Sequence, residues 1–324
     1  MARELQKRSL CAEITWLPLR AEYAPWTVPV PKPPPWANVV HVNSWLHSRF
    51  IPKSLPVVAT LHHSVHHPDL EPYKGRLRSI YHRRWIGRVE RVMMHRAGRV
   101  VAVSRFAAET ARKTLRDRRI EVIYNGVNVD EFIPSSTRQL HKPFRLLYVG
   151  GWMARKGVDL LAPIMRELGD DFDLCYTGGS AADSDRALMP PNAQDIGRLV
   201  GTDAIVSVMQ DADAFLFPSR NEGFGLVVAE AMACGLPVIA TRASSLTEIV
   251  EDGVTGILCP QDDDASFVDA AKRLATNVNL TVSMSRASRA VAVQKFGIGV
   301  MADAYLVVYE ELTNAHFSEN ASIA

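Results

Sequence analysis

Short unbroken apolar runs alternate along the chain with stretches whose apolar residues recur at helical spacing. Residues 57–61, 100–103, 146–149, 174–177, 214–217 and 238–241 are runs of the first kind, the pattern of parallel strands covered on both faces. Residues 77–96, 107–115, 159–168, 226–233 and 265–275 follow 3.6-residue spacing, and 301–312, MADAYLVVYEEL, predicts a final helix. Strand and helix in alternation predict a doubly wound α/β chain. Two segments break the pattern. Residues 25–35, PWTVPVPKPPP, hold six prolines in eleven positions and predict an extended surface loop. Residues 134–143, PSSTRQLHKP, interrupt the alternation with prolines and polar side chains, which predicts a domain boundary. The expected organisation is an N-terminal Rossmann-like domain at 1–142, a second at 143–300, and a closing segment at 301–324 that packs back on the first.

Composition narrows the class. The 324 residues suit two domains at about 150 residues each. With 47% hydrophobic and 22% charged residues the chain has enough apolar material for sizeable cores, which excludes disorder and small disulfide scaffolds. A net charge of +2 excludes a polyanion partner for the whole surface, leaving local patches. Cys11, Cys175, Cys234 and Cys259 are scattered without a C-x-x-C pair, as expected of buried thiols in a reducing cytosol. Residues 1–20 carry charges throughout and no apolar core of a signal peptide, and no apolar run reaches about 18 residues. A cytoplasmic protein is expected.

The richest chemistry lies in FLFPSRNEGFGLVVAEAMACGLP, residues 215–237. A strand ends at Pro218, Glu222 follows in a polar loop, Gly223 and Gly225 open a helix, and Gly235 with Pro237 closes it. Such a turn faces the carboxyl edge of a parallel sheet, where ligands bind. The glycines let a ligand approach free N–H groups, and the helix dipole favours a phosphate there by about 0.3–1 kcal/mol per charge. Glu230, one turn into the helix, is placed to accept the hydroxyls of a ribose, and Glu222 to reach a second polyol. In LYVGGWMARKG, residues 147–157, a strand ends in Gly150 and Gly151, and Lys156 precedes a helix. That cation is suited to a pyrophosphate.

Together these residues carry a resemblance. Glu222 and Glu230 have the Glu-x7-Glu spacing of the retaining, metal-independent GT-B glycosyltransferases of family four (glycosyl transferases group 1), inside NEGFGLVVAEAMACGLPVIAT, which is similar to the family's motif nearly throughout. The resemblance runs from about Pro56 to Leu312. It implies two Rossmann-like domains facing across a cleft, with the nucleotide sugar on the second and the acceptor on the first. Glu222 is implied to contact the donor sugar, Glu230 the ribose and Lys156 the β-phosphate, with Gly223, Phe224, Gly225 and Leu226 around the donor. Gly151 stands where the family has arginine, and Arg155 is the candidate replacement. Arg198 and Leu199 resemble the segment beside the base. The resemblance further implies no metal and no cofactor beyond the nucleotide-sugar substrate, a UDP- or GDP-sugar. The acceptor is a glycan or a lipid-linked one, in surface polysaccharide or glycolipid synthesis.

Residues 62–67 hold four histidines. A structural role, a metal site and, by the resemblance, a cleft histidine at His62 or His63 are the readings, with His62 taken as the catalytic candidate. Residues 74–99 carry nine Lys or Arg against one acid, Glu90. A solvated helix face, an anionic membrane surface and nucleic acid are the alternatives. Membrane contact, peripheral on the inner face, suits a lipid-linked acceptor, and no nucleic acid is expected. Residues 1–9 match only the end of the family's first helix, without its first strand and glycine loop. A donor-binding partner chain of weak or no turnover is therefore the second functional reading, and a nucleotide-sugar epimerase the third.

Overall fold

The computed structural model describes residues 1–63, 65–115, 120–137 and 139–321. Ser64 of the histidine run, Arg138 of the proline-interrupted stretch and the last residues of the 301–324 segment lie outside the described residues. By their own contacts the residues form two compact units, Met1–Asn125 with Ile298–Ala324, and Gly126–Gly297. Residues 134–143 thus fall inside the second unit.

The first unit is built on a parallel sheet in the order β1 (Val40–Asn43), β2 (Val57–Leu61), β3 (Arg99–Ala102), β4 (Ile120–Val122). All five residues of β2 are buried because each face has its own cover. Val57, Ala59 and Leu61 join Met93, Met94, Ala107, Ala108 and Ala111 from the helices Gly87–Arg96 and Arg105–Leu115. Val58, with Val101 and Ile123, meets Tyr305, Val308 and Leu312 of the last helix, Ile298–Ala321. Contact there is close: a Cβ on Gly98 would stand 2.5 Å from Leu312 Cδ1. A polar chain also fixes that helix. Tyr305 Oη lies 2.8 Å from Thr60 Oγ1, and the His41 ring bridges Thr60 at 2.7 Å and Tyr309 at 2.6 Å.

The expected helix at 77–96 is interrupted. Arg76–Tyr81 leads into a π-helical turn, His82–Ile86, before Gly87–Arg96. Gly87 follows the turn, and a Cβ there would meet the His66 ring at 3.2 Å. His66 in turn bonds the fully buried Glu90 at 2.9 Å, which also accepts from Ser44 Oγ at 3.0 Å. The proline-rich segment is not wholly a surface loop. Pro25–Thr27 forms a 3₁₀ turn with Pro25 buried, and Val28 packs with Ala21 and Phe50.

The second unit holds a six-stranded parallel sheet. Its strands are β5 (Phe144–Tyr148), β6 (Phe172–Tyr176), β7 (Ala193–Asp195), β8 (Ala214–Phe217), β9 (Val238–Thr241) and β10 (Gly256–Cys259), in the order β10-β9-β8-β5-β6-β7. The chain runs outward from β5 through β6 to β7, then returns to β8 on the other side of β5. The topological switch point of the sheet therefore lies between β5 and β8, and ligands of open α/β sheets bind outside the carboxyl ends of such a pair. Residues 126–133 are held within this unit by Arg289, which donates to the carbonyls of Val129, Phe132 and Ala233 at 2.7–3.0 Å. Of the four cysteines, only Cys234 and Cys259 are buried; Cys175 is half-buried and Cys11 is exposed, a correction to the expectation of four buried thiols. Cys11 lies in the segment ahead of the first sheet, where little is packed over it.

Candidate functional site

At the switch point the two motif loops meet. β5 leads through Gly150 and Gly151 to a 3₁₀ turn, Ala154–Lys156, and β8 leads through residues 218–225 to the helix Leu226–Ala233. Gly157 makes the meeting possible. Its φ is +69°, a conformation costly for residues with a Cβ, and a Cβ there would stand 2.0 Å from the Pro218 carbonyl oxygen. Lys156 consequently reaches across to the second loop. Its ammonium bonds the Glu222 carboxylate and lies 5.4 Å over the Phe217 ring.

Glu222 is 7% exposed, and three serines fix it. Ser219 Oγ donates to its carboxylate at 2.6 Å, Ser244 Oγ accepts from its backbone N–H at 3.0 Å, and Ser245 Oγ donates to its carbonyl at 3.1 Å and to that of Phe224 at 2.9 Å. Ser244 takes a left-handed φ of +50°. Sequence reasoning missed these serines; the signal was S-x-x-E itself, since a serine three residues before a buried carboxylate is placed to donate to it.

Arg155, expected to stand in for the missing arginine at Gly151, donates to the Asn221 carbonyl. Arg220 accompanies it with a two-pronged bond to Asp159 at 2.7 Å and one to Asp262 at 2.5 Å. Two guanidinium groups thus stitch the loops together. Gly150 is held by Thr177, whose Oγ1 accepts from its N–H at 2.9 Å, and Gly151 is exposed beyond it with its carbonyl on Tyr148 Oη at 3.1 Å.

Gly225 opens the helix in the left-handed region, φ +88°, and no side chain caps that end. The first turn of Leu226–Ala233 thus presents N–H groups to whatever occupies the loop. Gly223, Phe224 and Gly225 are buried and Leu226 is exposed. Glu230, one turn further on, is half-buried, and its carboxylate has no hydrogen bond or ion pair among the described residues. Burial pushes its pKa up to about 7.

A third loop is organised by a residue the sequence reading passed over. Asp195, at the end of β7, accepts from the backbone N–H groups of Gly178, Gly179 and Gly197 at 2.8–3.2 Å and from Arg186 at 2.7 Å. Burial alone would raise its pKa, but Arg186 and the three amides outweigh it and hold the carboxyl below its ordinary value. Arg198, exposed, and Leu199, half-buried, follow directly from this hub.

His62 belongs to the first unit, exposed at the end of β2. Two other histidines of its run are used locally: His66 on Glu90, and His67 beside Asp69 and against the Phe106 ring. Among the described residues no group of three or more His, Cys, Asp or Glu side chains is placed to hold a metal ion, and no helix is long and apolar enough to cross a membrane.

Two parallel α/β units, with the loops of the second gathered at its switch point, define a GT-B glycosyltransferase fold. Sucrose-phosphate synthase from Thermosynechococcus elongatus superposes with a TM-score of 0.74 at 21% identity, over 86% of this chain and 74% of that one. HepE from Anabaena, solved with UDP and glucose, gives 0.68 at 22% identity, over 80% and 72%. Residues 143–277 match the family model Glycosyl transferases group 1, and residues 36–131 the model Glycosyltransferase Family 4. Among curated relatives, an uncharacterized glycosyltransferase of Methanocaldococcus jannaschii is 28% identical over 67% of this chain. A D-inositol 3-phosphate glycosyltransferase of Corynebacterium jeikeium is 32% identical over 60%. The chain spans 60% of the length of the first and 52% of the second.

Proposed function

We propose that this glycosyltransferase moves a hexosyl group, with retention of anomeric configuration, from a nucleotide sugar to a glycan or lipid-linked acceptor, in surface polysaccharide or glycolipid synthesis. The observation that carries the reading is the Lys156–Glu222 bond at the switch point of the second sheet. It puts a cation for a diphosphate and a carboxylate for a sugar on adjoining loops, beside an uncapped helix N-terminus. In this reading Lys156 takes the β-phosphate, and the N–H groups after Gly225 share its charge. No metal is then required for the leaving diphosphate, and no cofactor beyond the donor. Glu230 accepts the ribose hydroxyls, Glu222 the sugar, and Arg198 with Leu199 lies along the base. Gly150 and Gly151 give the diphosphate room. A uridine nucleotide is the first choice of donor, supported by the UDP and the UDP-glucose held in the HepE structures, with GDP-sugars as the other. The protein works in the cytoplasm, and its basic stretch at 74–99 faces an anionic membrane surface.

The test is release of free nucleotide from UDP-glucose, UDP-N-acetylglucosamine and GDP-mannose in the presence of a glycolipid extract. Release that Glu222→Gln abolishes supports the reading. Donor binding by calorimetry without release, with any acceptor tried, overturns it in favour of a binding chain.

A further inference from the structure

Four polar side chains stand in the turn between Pro218 and Gly223, and three of them hold it together. Ser219 bonds the Glu222 carboxylate at 2.6 Å, Arg220 bonds Asp159 and Asp262, and Glu222 bonds Lys156. Asn221 is the exception. It is 1% exposed, yet neither Oδ1 nor Nδ2 of its amide has a hydrogen-bond partner among the described residues. Its carbonyl on the main chain is engaged, by Arg155, and its side chain is not.

A buried amide with both atoms unpaired is costly, because it has left water without gaining a bond in return. In the free chain it does nothing to fix the turn, so the cost is offset in a state where a ligand supplies both partners. The two atoms need opposite ones. Nδ2 donates and Oδ1 accepts. A diphosphate can only accept and would leave Oδ1 unpaired, whereas two hydroxyls of a sugar serve both atoms, one accepting and the other donating. We propose that Asn221 is a second residue for the donor sugar, its amide turning to two hydroxyls of the hexosyl group when a nucleotide sugar draws Lys156 away from Glu222. Loss of that ion pair loosens the turn that carries both residues. This rests on the second unit being the donor site, as proposed above. What it adds is a group that tells a nucleotide sugar from its bare nucleotide, since the unpaired amide is relieved by the sugar alone.

The experiment is calorimetric titration of the full chain with UDP-glucose, UDP-N-acetylglucosamine and GDP-mannose, and with UDP and GDP, beside thermal melting without ligand. Asn221→Ala is expected to melt no lower than the unaltered chain and to bind the nucleoside diphosphate equally well. It should bind the nucleotide sugar about tenfold more weakly, as the loss of two hydrogen bonds implies. Asn221→Ser, whose single hydroxyl cannot serve two sugar hydroxyls in the same way, should repeat the loss and keeps the test readable if the alanine variant folds poorly. Equal affinity of unaltered and variant chains for the nucleotide sugar overturns the inference. An equal loss for nucleotide sugar and bare nucleotide also overturns it and assigns the amide to the diphosphate. Lower melting of both variants without ligand, as a water bound to the amide in the free chain would cause, overturns it too. Failure of the unaltered chain to bind any of these nucleotides overturns the donor-site reading itself, and the role of Asn221 with it.

Discussion

The Lys156 ammonium is bonded to the Glu222 carboxylate, so the cation suited to a diphosphate is already engaged before any donor arrives. A diphosphate must compete with that carboxylate. Glu222→Gln is therefore expected to tighten UDP binding severalfold, because the ammonium no longer has a carboxylate to leave, while abolishing sugar transfer. Lys156→Met should weaken UDP about 10–100-fold, as loss of a charge-assisted bond implies. Calorimetric titration of the two variants with UDP checks both. Weaker UDP binding by Glu222→Gln would show that this carboxylate holds the nucleotide rather than competing for its lysine.

Gly157 and Gly169 separate backbone strain from a clash. Both have left-handed φ, +69° and +67°, but a Cβ on Gly157 would stand 2.0 Å from the Pro218 carbonyl oxygen, and one on Gly169 meets nothing within 4 Å. Gly169→Ala should cost about 1–3 kcal/mol, the penalty of its glycine-only backbone conformation (φ +67°, ψ −161°) alone. Gly157→Ala must also part the two motif loops, and is expected to cost several kcal/mol more and to lower UDP affinity. Urea unfolding of both variants measures the difference, and equal losses would mean that the loops part without penalty.

Much of this was legible because the residues that place the site are also those that sequence marks most clearly. β8 is buried on both faces and reads as an apolar run, and glycines sit where the backbone turns left-handed. Several of the elements that escaped notice lack those marks. β4 is Ile-Glu-Val and β7 is Ala-Gln-Asp, short edge strands that need no continuous apolar run. The helix Val278–Phe296 buries Thr281, Met284, Ser288, Ala292 and Phe296. The spacing is helical, but its positions are filled by Thr, Ser and Ala, whose hydroxyls at 281 and 288 each bond a carbonyl at 2.7 Å. At the site, the pairing of Lys156 with Glu222, 66 positions apart, came from sheet order, which local pattern does not contain.

Asp195 gives a prediction specific to binding. Its carboxylate collects three glycine N–H groups and Arg186, so Asp195→Ala releases the loop that leads into Arg198 and Leu199. The KM for donor should rise about tenfold or more with kcat little changed, since nothing at Glu222 or Lys156 is touched. The folded-state pKa of Asp195 lies below its unfolded value, so its stabilisation is present above the unfolded value and is lost as pH falls through the folded one. A fall in kcat at unchanged KM would place the loop in the chemical step.

Glu230 supplies the opposite sign. Its pKa, raised by burial to about 7 from 4.5, means that the folded chain holds a proton there that the unfolded chain has released. Stability contributed by this group is full below about pH 4.5 and declines until the carboxyl is ionised above pH 7. The loss is roughly 2–3 kcal/mol when partial exposure is allowed for. Glu230→Gln should therefore melt higher than the unaltered chain near pH 8 and converge with it near pH 4. A ribose donating two hydroxyls favours the ionised form, so UDP binding should strengthen from about pH 6 to 8 with release of a proton. That proton is detectable by calorimetry in buffers of different ionisation enthalpy. Glu230→Gln should bind UDP more weakly and without the pH dependence. If the two proteins show the same pH profile in both melting and binding, the carboxylate neither titrates near neutrality nor meets the ribose.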